Sequence, residues 1–376
     1  KDLQPTICLA LLKAIQSSQE FIEKDGHVDD SINIHFTVEQ ARKNIATVAK
    51  FAKNYLPILF TVYGETNDQL RSIISETIAT ICGVSETSVV DEYFKQVLKK
   101  LLEAATELNK EDLQPEVIRE VSHKRDIMVD LALAMAPCLS AQTTNLLYQV
   151  FQPQLKSLNH SAQKKAYKAI YTICKKQRDF VHMHLQGLIS SFDECLPVCD
   201  DSSKNYRIKC LMTFVELMST SDVEQHLPQF FAEAIMNVRG KNKKTKESSF
   251  LFIRGLARKC TFGDVTFDNI GWEELPDSLD QAQQERVNAF FLKLLGGLAA
   301  SSDTMIGGTI MVLSSLLVEY SGFLESILPD ILRSVFILMQ YDSNDVILGV
   351  VSFVKTCLAI IDDEFLKMML PQLLPI

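Results

Sequence analysis

The residues that could hold a metal ion lie near the middle of the chain. His182 and His184 are followed by Cys195 and Cys199, and imidazole and thiolate groups are the ligands that zinc prefers in proteins. The spacing argues against a site, because residues two apart on a helix face different sides and no further ligand follows the two cysteines closely. The sequence therefore favours core thiols and surface histidines, and it predicts no metal site.

Motifs that would position a nucleophile, a nucleotide or a catalytic metal are absent from the sequence. GxxxxGK[ST], GxGxxG, HExxH and GxSxG do not occur. Carboxylate pairs such as Asp29-Asp30 and Asp362-Asp363 sit beside helix starts, where negative charge stabilises the positive end of the helix dipole. We therefore predict that the chain is not an enzyme and that it uses no cofactor and no small-molecule substrate.

Basic residues form the strongest candidate binding feature. They cluster in three segments that we expect at equivalent turns of successive helical repeats, and such turns stack along one edge of an array. Two interpretations are open: a basic ridge that contacts phosphates or an acidic partner, and a solvated edge without a ligand. No aromatic residues interleave with the lysines, so an RNA contact would be to backbone and shape. The candidate RNA- or partner-binding residues are Lys164, Lys165, Lys168, Lys204, Arg207, Lys209, Arg239, Lys241, Lys243, Lys244 and Lys246.

An acidic insert is predicted at residues 262–281. It holds six carboxylates and no Lys or Arg, and it carries the only tryptophan of the chain, Trp272. Phe262, Phe267 and Trp272 either anchor a partner protein within an acidic rim or fasten the insert to its own helices. We favour the second interpretation slightly, because an insert must bury some apolar surface to stay ordered.

Composition narrows the possible folds. The chain has 376 residues but only 14 glycines, which disfavours a phosphate-binding α/β enzyme and favours helices joined by short turns. The nine cysteines, an odd number set in apolar helical patterns, indicate free thiols in a reducing, intracellular compartment. A net charge of −9 argues against bulk attraction to nucleic acid, so any RNA contact requires a local basic patch.

An uncharged run from Thr304 to Val318 raises the question of a membrane span. It is bounded by Asp303 and Glu319, and a helix needs about 20 apolar residues to cross a bilayer. The run is shorter than that, no secretory signal opens the chain, and no lipidation motif closes it. We expect a buried helix of a soluble protein without membrane contact, in which Gly308→Asp is destabilising.

The helical pattern recurs at a nearly fixed interval. Leu328-Pro329 and Leu370-Pro371 lie 42 residues apart, and Phe252 and Phe353 each follow a Leu-Pro pair by 24 residues. This period fits HEAT and armadillo repeats, which have about 40 to 47 residues. Five positions recur at equivalent helical spacing and are expected to face partner helices: Ile74, Ala166, Cys210, Ser249 and Val350.

We therefore predict an all-α fold, a HEAT/armadillo-like α-solenoid in which antiparallel helix pairs form a right-handed superhelix. Residues 1–376 are expected to form a single solenoid that is a fragment of a longer chain.

Five stretches resemble the carboxyl-terminal half of the ribosomal RNA-processing protein 12 family, which consists of HEAT-repeat ribosome assembly factors of eukaryotes. They follow in order along nearly the whole chain, and the last two are the most specific. They are ARKNIATVAKFAKNYLPILFTVY (41–63), SAQKKAYKAIYTIC (161–174), NKKTKESSFLFIRGLA (242–257), GGLAASSDTMIGGTIMVLSSLLVEY (296–320) and SNDVILGVVSFVKTCLAII (343–361).

The resemblance implies a nuclear and nucleolar protein that shuttles to the cytoplasm. It implies a scaffold that binds 90S and pre-40S pre-ribosomal particles through pre-rRNA and assembly factors, and that supports rRNA processing and nuclear export. It also implies partners among Ran and the karyopherins, and it supplies no catalytic residues. From the resemblance we expect that the family's amino-terminal repeats and basic carboxyl-terminal tail lie outside residues 1–376. The alternative function is a karyopherin-like nuclear transport receptor, and nucleotide-dependent binding of Ran without RNA would favour it.

Overall fold

A computed structural model describes residues 3–26, 37–108, 110, 113–270, 274–360 and 367, and it contains helices but no strand in these ranges. In chain order the α-helices are α1 (Leu3–Glu23), α2 (Val38–Lys50), α3 (Ala52–Glu65), α4 (Asp68–Val84), α5 (Thr87–Leu108), α6 (Pro115–Met135), α7 (Ala141–Phe151), α8 (His160–Lys176), α9 (Arg178–Cys195), α10 (Lys204–Leu217), α11 (Thr220–Val238), α12 (Lys243–Phe262), α13 (Gln281–Leu295), α14 (Asp303–Tyr320), α15 (Leu328–Phe336) and α16 (Asn344–Ile360). Short 3₁₀ turns extend several of them.

The chain forms two compact units, Lys1–His184 and Leu185–Ile376. In the first unit α5 packs on α6 and α7 on α8, while α4, α6 and α8 stack in succession. In the second unit α11 packs on α12, and α10, α12, α14 and α16 stack in the same way. The predicted all-α solenoid of helix pairs is confirmed, whereas a single array over residues 1–376 stays a prediction.

Local sequence explains where many helices begin. Side-chain oxygens accept hydrogen bonds from the first-turn amides, which otherwise have no partner. The N-cap residues that do this include Asn67, Ser140, Asn159, Asn242 and Asp280. Gly263 ends α12 with φ 89°, a backbone conformation that other residues rarely adopt.

The predicted repeat positions all lie in the core. Ile74, Ala166, Cys210, Ser249 and Val350 lie on α4, α8, α10, α12 and α16, and each is completely buried. Each unit therefore grows by adding helix pairs to a continuous core, as repeat arrays do.

The uncharged run forms most of α14. With the turn that follows, Asp303–Phe323 is long and apolar enough to cross a membrane by length and composition, so the expectation that it is too short was wrong. More than half of its most apolar window is buried by protein, and Ile306, Ile310, Leu313 and Leu317 are at most 1% exposed. This burial is typical of a core helix.

Candidate functional site

A group of five cations lies where α11 passes into α12. We call the residues Arg239, Lys241, Lys243, Lys244 and Lys246 the basic turn. Asn242 fixes its conformation, because its side-chain oxygen accepts hydrogen bonds from the amides of Lys244 at 3.0 Å and Thr245 at 3.3 Å. The amide of Gly240 closes the preceding turn on the carbonyl oxygen of Asn237 at 3.0 Å.

The five cations of the basic turn differ in their availability. Arg239 is half-buried, and its Nη2 donates to Asp345 at 2.9 Å. Lys246 is half-buried as well. Lys241, Lys243 and Lys244 are exposed, and Lys243 is 3.8 Å from Glu247. The turn therefore presents three lysine ammonium groups to solvent, where they can contact phosphate or carboxylate groups.

The helix that carries Lys204 and Lys209, α10, packs beside α12. The hydroxyl of Ser248 in the second turn of α12 donates to the side-chain oxygen of Asn205 in the first turn of α10 at 2.8 Å. Lys204 begins α10 and forms an ion pair with Asp201 at 2.6 Å. Lys209 is half-buried within the helix. A shared basic surface formed by Lys204 and the basic turn stays a prediction.

The prediction that Arg207 binds RNA or a partner was wrong. Its side chain is completely buried, and its Nε and Nη2 donate to the two carboxylate oxygens of Glu233 on α11 at 2.7 and 3.0 Å. Nη1 donates to the carbonyl oxygen of Phe192 at 2.6 Å, and the guanidinium lies 5.1 Å from the Phe192 ring centroid. Arg207 joins three helices in the core and is not available to a ligand.

The candidate binding residues of the first unit, Lys164, Lys165 and Lys168, lie within α8 and not in a turn. Lys164 and Lys168 are exposed. Lys165 is half-buried and forms an ion pair with Asp126 on α6 at 2.7 Å, and Asp126 also accepts from Arg125 at 3.1 Å. Burial alone would raise the pKa of Asp126, but its hydrogen bonds with Lys165 and Arg125 outweigh burial and lower that pKa.

The insert is fastened to its own helices by Phe267 and Ile270. The ring of Phe267 stacks on Phe252 of α12, 6.1 Å between centroids, and covers Gly255, where a Cβ atom would collide with it. The amide of Phe267 donates to Glu216 Oε1 at 2.8 Å. Ile270 is 2% exposed. Phe267 thus packs within the protein, Phe262 is half-buried as the last residue of α12, and Trp272 lies outside the described residues.

Phe267→Ala should release the insert while leaving the helices folded. The ring is half-buried, so we expect a loss of about 1–2 kcal/mol, below the cost of deleting a fully buried phenylalanine. Limited proteolysis should then cut between residues 263 and 280 faster than in the parent. Leu292→Ala on α13, which removes a half-exposed side chain, serves as the control, and equal cleavage in both variants would show that Phe267 does not hold the insert.

The residues considered for metal binding do not converge. Within the ranges that the structure describes, no group of three or more His, Cys, Asp or Glu residues could hold an ion. His184 is exposed, and its Nδ1 lies 2.8 Å from the carbonyl oxygen of Phe180, whereas Cys195 is buried. Burial raises the pKa of Cys260 and Cys357 to about 12, so these thiols stay protonated and are poor nucleophiles.

Comparison with protein families and curated proteins gives a consistent result. Residues 1–66 match the family model described as ribosomal RNA-processing protein 12, HEAT repeats. The putative ribosomal RNA-processing protein 12 of Schizosaccharomyces pombe is 25% identical, over 99% of this chain and 31% of that protein. The RRP12-like protein of Homo sapiens is 25% identical, over 86% and 23%. Ribosomal RNA-processing protein 12 of Saccharomyces cerevisiae is 24% identical, over 99% and 30%.

The chain spans less than a third of the length of these relatives. Among solved structures, the crystal structure of Kap121p is similar at 15% identity, covering 93% of this chain and 35% of that chain with a TM-score of 0.36. An engineered protein matches at 11% identity, 94% and 95% coverage, and a TM-score of 0.34. Structural similarity at this level supports no conclusion about function.

Proposed function

We propose that this chain, whose resemblance to the ribosomal RNA-processing protein 12 family is confirmed by the family match and by the curated relatives, is part of a non-catalytic scaffold in ribosome biogenesis. The observation that carries the proposal is the alignment with relatives of that name over 99% of the chain. A stack of helix pairs suits this function, because it presents a long surface on which several partners can bind at once.

The proposed ligands are pre-ribosomal particles, chiefly precursors of the small subunit, with pre-rRNA and assembly factors as the molecules in contact. Lys241, Lys243 and Lys244 support an RNA contact, since exposed ammonium groups bind phosphate and release condensed counterions. Such contacts position the protein on RNA without reading its sequence. Affinity should therefore fall steeply with salt and depend weakly on RNA sequence.

The proposed localisation is the nucleus and nucleolus, with shuttling to the cytoplasm and a contribution to nuclear export of the particles. Ran and karyopherins are proposed as further partners on the basis of the family resemblance. The alternative of a karyopherin-like transport receptor gains no support from the TM-score of 0.36. Binding of Ran that depends on its nucleotide and requires no RNA would distinguish that alternative.

A triple variant of the full-length protein tests the basic turn: Lys241→Glu, Lys243→Glu and Lys244→Glu. It should bind RNA and particles about tenfold more weakly or worse, because three attractive charges next to phosphate become repulsive. The measurement is binding to a labelled RNA duplex at several salt concentrations, paired with co-sedimentation with particles. The slope of log affinity against log salt should become shallower, by about 0.9 for each phosphate that the variant no longer neutralises.

The matched control changes the same charge at another place. Lys43, Lys50 and Lys53 are exposed on α2 and α3, and their replacement by Glu should reduce the affinity and the salt slope far less. Equal losses in the two triple variants would mean that net charge alone governs binding. Unchanged association in a folded basic-turn variant would remove this turn from the RNA contact.

A further inference from the structure

An apolar groove runs across the first unit between α5, α6, α7 and α8. Its volume is about 460 Å³. Leu102, Ala105 and Leu108 of α5 form one side, and Val150 and Phe151 of α7 form another. Arg125 of α6 and Lys165 of α8 stand at its polar edge. None of these residues belongs to the basic turn or to the insert.

The groove is open to solvent and continues along α5. Leu102 is 49% exposed, although it is a large apolar residue within a helix that packs on α6. It also lines a second, shallower hollow of about 630 Å³, where Leu98 is the other apolar residue and the remaining lining residues are charged or polar: Lys95, Lys99, Glu103, Thr106, Glu107 and Lys110. From Lys95 to Leu108 the two hollows follow α5 for about 20 Å, the length of a helix of three to four turns. An apolar groove that continues into a charged surface along one helix is typical of sites that bind an amphipathic helix.

The charge beside the groove is positive on a chain whose net charge is negative. The α8 helix contains five lysines and no acidic residue. Arg125 and Lys165 line the groove, and both bind one carboxylate, that of Asp126 on α6, which does not line it. The hollow further along α5 is more evenly charged, because Glu103 and Glu107 line it together with three lysines. A ligand that brings carboxylates to this edge therefore gains favourable charge contacts, and one that brings ammonium groups does not.

We propose that this groove binds an acidic amphipathic helix of a partner protein. Its apolar face would cover Leu102, Ala105 and Val150, and its carboxylates would face Lys164, Lys165 and Lys168 of α8. RNA fits the groove less well, because the floor is aliphatic and Phe151 is only 4% exposed, so no aromatic face is offered to a base. The inference goes beyond the scaffold function, because it assigns a distinct surface and a class of partner to it.

Designed peptides test the proposal directly. The probe is a fluorescein-labelled helix of about 16 residues with leucine at positions i, i+3, i+4 and i+7 and glutamate on the opposite face. One control peptide carries lysine at every glutamate position, and another has the same composition in scrambled order. Fluorescence anisotropy with the chain should show binding of the acidic helix, weaker binding at high salt, and at least about tenfold weaker binding of both controls.

Two substitutions locate the binding. Leu102→Asp places a carboxylate in the apolar floor and should weaken binding of the acidic peptide by at least about tenfold. Ile118→Asp on α6 is the matched control, since Ile118 is 43% exposed and does not line the groove, and it should change the affinity by no more than about twofold. The peptide comparison needs no variant, so it decides the question even if Leu102→Asp lowers stability.

Four results would overturn the proposal. The first is absence of binding by the acidic peptide, and the second is equal binding of the lysine peptide. The third is an RNA oligonucleotide that displaces the acidic peptide and whose own binding is weakened by Leu102→Asp. The fourth is a dimer of the chain that Leu102→Asp converts to a monomer, because the groove would then be the interface between two copies.

Discussion

Arg207→Ala is expected to lower the free energy of unfolding by about 3–5 kcal/mol, because it leaves the carboxylate of Glu233 buried without its cation. Both residues are almost fully buried, and the guanidinium makes its two hydrogen bonds with Glu233 and a third with the carbonyl oxygen of Phe192. Chemical denaturation followed by circular dichroism would measure the loss as a shift of the unfolding midpoint.

Two further variants isolate the cause of this loss. Replacement of both Arg207 and Glu233 by leucine removes both buried charges and should recover most of the stability, since an apolar pair of similar size is often neutral or better. Lys124→Ala breaks the exposed ion pair with Glu120, 2.7 Å long, and should leave the midpoint unchanged. A double variant as unstable as Arg207→Ala would show that the charge of Glu233 is not the cause.

Gly308→Asp should be nearly as damaging, with an expected loss of about 3 kcal/mol or more from steric overlap and from an unpaired buried charge. Gly308 lies where α14 crosses α11, and a Cβ atom there would be 2.6 Å from the carbonyl oxygen of Ile235. The carboxylate would also be placed among buried residues of α14. Thermal unfolding of the variant would report the loss as a lower midpoint.

Gly187 provides the matched control, because it lies within α9, is exposed, and has no atom within 4 Å of its Cβ position. Gly187→Ala should raise stability by about 0.5–1 kcal/mol, whereas Gly308→Ala should lower it by about 1–3 kcal/mol. Alanine effects of the same sign at the two glycines would contradict the close approach of α14 and α11.

Spacing in the sequence predicts the repeat because each helix pair has to bury the same positions. Counting from Leu-Pro pairs predicts equivalent helices for Phe252 and Phe353, and both are completely buried, on α12 and α16. The prolines themselves are not equivalent, since Pro228 lies inside α11 and Pro329 lies in the first turn of α15. Burial of the apolar faces fixes the repeat, and proline is tolerated at more than one place within it.

Arg207 shows why the candidate site was harder to predict. A count of nearby Lys and Arg residues treats each as exposed, yet Arg207 has its partner 26 residues later on another helix. One signal was present in the sequence: Glu233 stands between Phe230 and Ala234 on the apolar face of α11, where an unpaired carboxylate would be costly. The exposed lysines at 241, 243 and 244 were predictable, because a charged turn between two apolar helices has no core to enter.

The groove beside α5 was not apparent from the sequence. Leu102 follows Leu98 and Leu101 in a pattern that predicts burial, yet it is 49% exposed. How neighbouring helices pack decides whether such a residue is covered, and the period of the apolar residues does not determine that packing.

The most direct test of the central claim is sedimentation of the tagged full-length protein from nuclear extract, with and without RNase, with precursor rRNA probed in each fraction. The scaffold function predicts migration with large particles that contain precursor rRNA, and a shift to light fractions after RNase. Migration near the monomer in both gradients, with Ran bound, would contradict it and would favour a transport receptor.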